Sequence, residues 1–523
     1  MAGGLLNLVS GGTQNVIMYG NPQKTYWTST YKQITNFGLQ NFRLDYEGLR
    51  QLQLTSDTTY VFKVKRYADL LTNTVFTIQL PDIYSPVYEN NQPYEFAWIK
   101  NIGAMMIRSI RFTIGGTLIQ QISGYDIVAL ANRDLTMTQK EKWNQMIGNV
   151  SDLYNPGLSR GGLYPNAFYQ ARGAEPSIRG RQLRVPLPIW WGLNSQQAFP
   201  LISLQYNELQ IEVTLRPIRE LFQIRDITNL TGNPNNVIAP NMVIPEHQLS
   251  RFLQSPPEDG VYGAFNPSWN ENTHLSCTYG FLSEDESYVF ATNQQSYLVR
   301  ELYDTWFYSV SITDKVWLQN STSLVLAWMM FFQRSDASER NEWSNFTNWA
   351  YDYLPSNITS TDLPDANGTI MYQTGQYAPE NQKDILQGLG ILFDGSVREE
   401  VRSGSLYKYD QQYLSIPGQG QASLDGMYCY NFCLNTSPFV LQPSGAVNLS
   451  KFSVIELEFN TITPPVNPEL NVLTICDPFL AQSIGTSKNV AKLYTYYYNM
   501  LVIEERYNVI SFVGGNAALM NAR

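Results

Sequence analysis

Between residues 209 and 216 apolar and polar side chains alternate without a break. Leu209, Ile211, Val213 and Leu215 are set against Gln210, Glu212, Thr214 and Arg216. A period of two sends one set into a core and the other into water, which predicts a half-buried strand. Similar patterns predict strands at 58–66, 74–80, 104–114, 183–189 and 204–215. They resume at 273–282, 296–308, 323–333, 389–394, 428–434, 451–459 and 493–503. The run LVLAWMMFF, residues 324–332, has no polar face and reads as a strand buried on both sides. Pro186 and Pro188 interrupt an apolar run that ends in Trp190-Trp191. Proline cannot donate to a central ladder, so this segment is an edge strand or a strand entry. A clear helix signal in the first half is Thr138-x-x-Glu141, a capping box, followed by Trp143, Met146 and Ile147 at helical spacing.

Many short strands, long loops and little helix predict an all-β chain of packed sandwiches. At 523 residues the chain exceeds one ordinary core, so two are expected. Eight strands in two interleaved sheets make a jelly roll. The residues read as two packed β-sandwiches with long inter-strand loops and a few short helices; that these are two tandem eight-stranded antiparallel jelly rolls is what the resemblance below implies. Residues 1–26 are a small, polar, extended arm. Residues 27–240 form the first roll and 261–510 the second. The polar, Asn- and Pro-rich stretch 228–260 separates them, with 241–260 as the linker, and 511–523 are a tail. No simple sequence repeat relates the halves.

Composition sharpens this picture. Charged residues are 15% and aromatics 13%, with 34 Tyr and 24 Phe. So few charges, against about 25% in typical soluble domains, fit a surface largely covered by neighbours. Charge is also lopsided. Residues 1–243 carry 21 basic and 16 acidic side chains, and residues 244–523 carry 14 and 29. Such a difference either steers unlike halves of adjacent molecules together or marks one acidic exposed face. No apolar run approaches the ~20 residues of a spanning helix. The start, Met1-Ala2-Gly3-Gly4-Leu5-Leu6, has no signal-peptide pattern, and Ala2 excludes N-myristoylation. The four Cys are then expected to stay reduced.

Candidate chemistry is thin. His247 and His274 are the two histidines, and neither has a metal-ligand spacing to Cys, Asp or the other His. No nucleophile-elbow pattern accompanies them, so each is read as structural. Cys429 and Cys433 form C-x3-C but lack a second pair, so they, Cys277 and Cys476 are read as buried thiols. Asp394-Gly395-Ser396, followed by Arg398, Glu399, Glu400 and Arg402, reads as a turn and a solvated charge cluster. Gly418-x-Gly420 is too short for a phosphate loop. With a net charge of −10 and a single basic cluster, Lys63-Val64-Lys65-Arg66, direct nucleic-acid binding is not expected. No catalytic residue, cofactor or metal is assigned. Eight N-x-S/T sequons occur, at Asn149, Asn229, Asn320, Asn345, Asn357, Asn367, Asn435 and Asn448. The glycan candidates are Asn320, Asn345, Asn357 and Asn367. Asn448 is expected to be buried beside a turn.

Several segments stand out in order. They are Gly12–Phe37, Trp98–Ile119 and Lys142–Asn149, then VPLP-x-W and FPLISLQY, with Pro186, Pro188, Trp190, Gln205 and Tyr206. In the second half they are His274–Glu286, Arg340–Asn348 and Leu441–Phe452, the last containing Gln442, Pro443, Ser444, Gly445 and Asn448 of QPSG-x-x-N-x-S. Together these segments resemble one family, the double jelly-roll major capsid proteins of nucleocytoplasmic large DNA viruses. Asn15 stands in place of that family's usual acid, and Tyr498–Leu501 corresponds in part. The resemblance implies a non-enzymatic shell subunit. Three copies would form a capsomer of pseudo-six-fold outline beside neighbouring capsomers, penton and minor capsid proteins. The arm would lie on the inner side near an internal membrane, and the location would be the virion after assembly in the host cytoplasm. A Trp- and Tyr-rich β chain also fits a carbohydrate-binding or glycoside-processing protein, with Trp190-Trp191 or Trp343 and Trp349 as platforms. A minor or penton capsid protein would need only one roll.

Overall fold

The computed structural model describes residues 3–85, 94–157, 164–171, 173–226, 237–258, 267–319, 321–349, 363–364, 370–371, 383–415, 424–463, 474–476, 483–486 and 496–521. The principal strands form two sets of eight. In the first they are β1 (Phe37–Leu44), β2 (Thr58–Lys63), β3 (Leu70–Gln79), β4 (Ile107–Ile114), β5 (Thr117–Ile122), β6 (Gln182–Pro186), β7 (Leu209–Leu215) and β8 (His274–Leu282). In the second they are β9 (Gln295–Val310), β10 (Thr313–Trp317), β11 (Leu324–Arg334) and β12 (Leu386–Phe393). These continue with β13 (Ser396–Ser403), β14 (Met427–Asn431), β15 (Ile455–Thr461) and β16 (Tyr498–Val513).

Two sheets close each set. The first half has the orders β1-β8-β3-β6 and β2-β7-β4-β5; the second has β9-β16-β11-β14 and β10-β15-β12-β13. Adding eight to each strand of the first half gives the second, and every pairing is antiparallel. The chain is thus two tandem jelly rolls, and the likeness that residue identities hide is carried by topology. The same hairpin recurs in both rolls. Gly115-Gly116 joins β4 to β5 and Asp394-Gly395 joins β12 to β13, all four at positive φ. Two-residue turns of that kind match the twist of the flanking strands. A smaller sheet, Tyr94–Trp98, Phe222–Asp226 and Val237–Ile238, flanks the first roll.

The alternating strand behaves as its pattern requires. Leu209, Ile211, Val213 and Leu215 are buried, and the side chains between them are half-buried. Val213 sits between Tyr60 of β2 and Ile110 of β4. β11 is buried from Val325 to Arg334. Among the described residues β6 pairs with β3 alone, which fits the edge position required by Pro186.

Several expectations move. β8 lies between β1 and β3, so the break between the rolls falls after residue 282 and not at 241–260. Part of that stretch is core, since Leu249 and Phe252 are buried in the first roll. The bridge is a helix, α3 (Glu284–Thr292), with no buried residue. The tail is a hairpin, for Asn516–Leu519 folds back on β16. The arm contains short helices, Gly3–Val9 and Val16–Tyr19, and exposes every described residue up to Asn41 except Asn15, which is half-buried. Two eleven-residue helices lie between β5 and β6: α1 (Gly124–Asp134) and α2 (Met137–Ile147). α2 is capped by Thr136 with Gln139, not by Thr138 with Glu141. α1, capped by Ser123 with Asp126, was not anticipated.

The seam between the two rolls

α1 is buried over ten of its eleven residues because both rolls enclose it. Ala129 and Leu130 pack with Leu302 of β9, Met329 and Phe331 of β11, and Leu501 and Ile503 of β16. One turn further along α1, Arg133 is buried against the same sheet. Its Nε and Nη2 donate to both carboxylate oxygens of Asp134 at 2.8 and 3.0 Å, and Nη1 lies 2.8 Å from Glu505. Arg300 of β9 reaches Glu505 at 3.1 Å from the other side. Burial opposes the charge on Glu505. Arg133 and Arg300 overcome it and hold the carboxyl below its ordinary range. A central strand can hold Glu505 because two guanidiniums satisfy it where water cannot.

The motif residues converge on this seam. Trp190 and Trp191 are both buried. The Trp191 indole donates to Thr74 Oγ1 at 3.2 Å and meets Phe112 edge-on. Trp190 packs on Tyr297 of β9, and Phe199 on Phe512 of β16. Pro188 and Trp190 line one side of a cleft whose other side carries Leu298, Arg300 and Leu441. Gln205 and Tyr206 are exposed, yet their backbone N–H groups donate to Gly515 O in the turn after β16. Asn207 Nδ2 donates to Asn516 Oδ1 at 2.6 Å.

The QPSG segment closes the same region. Arg300 donates to the carbonyls of Thr436 and Ser437 at 2.7 and 2.9 Å. Ser444 Oγ accepts from Asn435 N–H at 2.9 Å and donates to Asn435 O at 3.0 Å, which pins the loop's two ends. Gly445 has φ +135°, and a Cβ there would stand 3.1 Å from Phe432 O, so glycine fits where a side chain would strain. Gln442 and Pro443 are exposed and Ser444 half-buried. Asn448 is exposed rather than buried, and its Oδ1 accepts from Ser450 N–H at 3.1 Å. The sequence marked these residues as a set. It carried no signal that Arg133, Arg300 and Glu505 would join them, because charges far apart in sequence look like solvated surface.

The remaining candidates are dispersed. Asn345 is 4% exposed; its Nδ2 donates to Trp349 O, and its Oδ1 accepts from Thr347. A glycan at Asn345 is incompatible with that packing. Asn320, Asn357 and Asn367 lie outside the described residues. His247 is buried edge-on against Tyr94 and accepts from Asn241 N–H; His274 lies beside Asn272 O. They belong to separate surroundings. Cys277, Cys429 and Cys433 are buried free thiols, and burial pushes Cys277 and Cys429 up to about 12. Among the described residues no group of three His, Cys, Asp or Glu could hold a metal ion. Asp394-Gly395 is the turn foreseen, but the charges after it form a strand, β13. Trp190 and Trp191 are too buried to serve as sugar platforms, and Trp343 and Trp349 are half-buried.

Residues 25–246 match the family model described as the major capsid protein N-terminus. The major capsid protein of Chrysochromulina ericina virus is 28% identical over 63% of this chain; the match covers 57% of that relative's length. That of Paramecium bursaria Chlorella virus 1 is 23% identical over 99% of both chains. Among solved structures, the subunit of the PBCV-1 virus capsid superposes with a TM-score of 0.63 at 17% identity, over 95% of this chain and 100% of that one. In sequence, and across nearly its whole fold, the chain is similar to the double jelly-roll major capsid proteins of nucleocytoplasmic large DNA viruses.

Proposed function

We propose that the chain is the major capsid subunit of a large icosahedral DNA virus. In this reading three copies form a capsomer of pseudo-six-fold outline that tiles the shell. The observation that carries it is the repeated strand order: two rolls of one topology, joined by a buried seam, make a rigid pair. Three such pairs present six similar barrels, and six similar barrels tile hexagonally. Its role is structural, without catalysis. Neighbouring capsomers, penton and minor capsid proteins are the partners of the lateral faces, and the arm meets the inner face near a membrane. The location is the virion, after assembly in the host cytoplasm. Pro186, Pro188, Trp190, Gln205, Tyr206, Gln442, Pro443, Ser444, Gly445 and Asn448 serve as structural residues of the subunit, most of them at or beside the seam.

Light scattering and native mass spectrometry on the recombinant chain test the reading. Trimers at micromolar concentration are the expected result, since obligate interfaces commonly bury more than ~2,000 Å². A clean monomer at that concentration contradicts it.

A further inference from the structure

α1 meets the second roll at a second polar point, one helical stretch before Arg133. Asp126 is fully buried there. Its Oδ2 accepts from Ser123 N–H at 2.7 Å and from Ser123 Oγ at 3.1 Å, which caps the helix. Its Oδ1 meets no N–H or O–H donor. The group facing Asp126 across the seam is another carboxyl, Asp304 of β9. The cations of the surrounding elements are engaged elsewhere. Arg133 of α1 is held by Asp134 and Glu505, and Arg300 of β9 by Glu505 of β16. Arg216, at the end of β7, pairs with Glu220 and lies over the rings of Tyr125 and Trp343. Tyr125 packs on Trp306 of β9, and Cys429 of β14 is a buried thiol. Asp304 is half-buried with its Oδ1 enclosed; a carboxylate there and the buried Asp126 cannot both ionise without a large penalty, whereas one proton between them turns repulsion into a hydrogen bond.

We propose that Asp126 and Asp304 share one proton across the seam, so that the two rolls grip each other when the pair is protonated and loosen when alkaline solution removes the proton. Burial first, and Asp304 second, push the Asp126 carboxyl well above its ordinary range. A carboxyl raised on folding contributes stability that is full below the unfolded value, about 3.9. That contribution is lost as pH rises through the folded value. This is opposite in sign to the contribution of Glu505. The inference does not depend on the capsid reading.

The test is thermal unfolding of the full chain and of Asp304→Asn from about pH 5 to about pH 9. Asparagine supplies an N–H donor to Asp126, so no shared proton is needed, and the Ser123 cap is left intact. The wild-type Tm is expected to fall relative to the variant by about 2 °C or more across that range. A difference between the two that stays constant with pH overturns the proposal. Infrared spectroscopy near neutral pH gives a second reading. The wild-type protein should show the carbonyl band of a protonated carboxylic acid, absent from Asp304→Asn. Its absence from the wild type overturns the proposal even where the variant fails to fold.

Discussion

The seam and the N-terminal arm invert the usual arrangement of side chains in opposite ways. At the seam, charges are inside: Arg133 and Glu505 are each 2% exposed. In the arm, apolar groups are outside, with Ile17 89%, Met18 77% and Tyr26 91% exposed. The seam can bury its charges because the same chain supplies every counter-group, from α1, β9 and β16. The arm exposes its rings because, among the described residues, nothing covers them. One region is completed within the subunit, and the other is, in the proposed reading, covered by a partner. The contrast also separates the two kinds of damage a substitution can do.

The largest effect is expected from Glu505→Ala. It leaves Arg133 and Arg300 buried without their shared carboxylate, a loss of about 3–5 kcal/mol. The midpoint of chemical denaturation measures it. A loss below about 1 kcal/mol would place the cohesion of the rolls in apolar contacts alone. Trp190→Ala comes next, at about 3 kcal/mol, because a large buried ring between Phe199 and Tyr297 leaves a cavity on both sides of the seam. If the cleft collapses without cost, the tandem tryptophans do not join the rolls.

Acid supplies a smaller, graded effect. Arg334 and Arg340 hold Asp336 below its ordinary value against the opposing effect of burial, and Lys383 and Lys408 do the same for Asp425. Glu505 is depressed likewise. Carboxyls depressed on folding contribute stability that is present above their unfolded values and lost as pH falls through the folded ones. Stability should therefore decline progressively below about pH 4.5. A flat acid limb in Tm against pH would show these pairs to be energetically silent. The smallest effect on the subunit is expected from deleting residues 1–20. Stability should stay within about 0.5 kcal/mol and the trimer should persist, while shell assembly or attachment of inner partners is impaired. An unfolded product would assign the arm to the core and end the contrast with the seam.

Legibility followed the same division. β7 and β11 were readable because burial imposes a pattern, period two in one and an unbroken apolar run in the other. β13 was not, since seven of its eight residues are exposed and SVREEVRS shows neither pattern. α1 was missed for the reverse reason. A helix enclosed on all sides has no polar face, and its Asp126, Arg133 and Asp134 look like solvated charges. The Asn- and Pro-rich stretch looked like the boundary because local composition marks loops, but it does not mark which sheet a later strand will join.

The residues alone determined the class of the molecule: all-β, in packed sandwiches, with motif segments in family order. Alternation, proline placement and turn glycines act over a few neighbours, so they survive in the one-dimensional record. Tertiary structure alone decided that His274–Leu282 closes the first roll, that both rolls share one strand order, and that the motif segments and a buried set of charges meet at one seam. Those outcomes rest on partners hundreds of residues apart, such as Arg133 with Glu505. A charge far from its partner in sequence is written like any surface charge, and only the folded chain brings the two together.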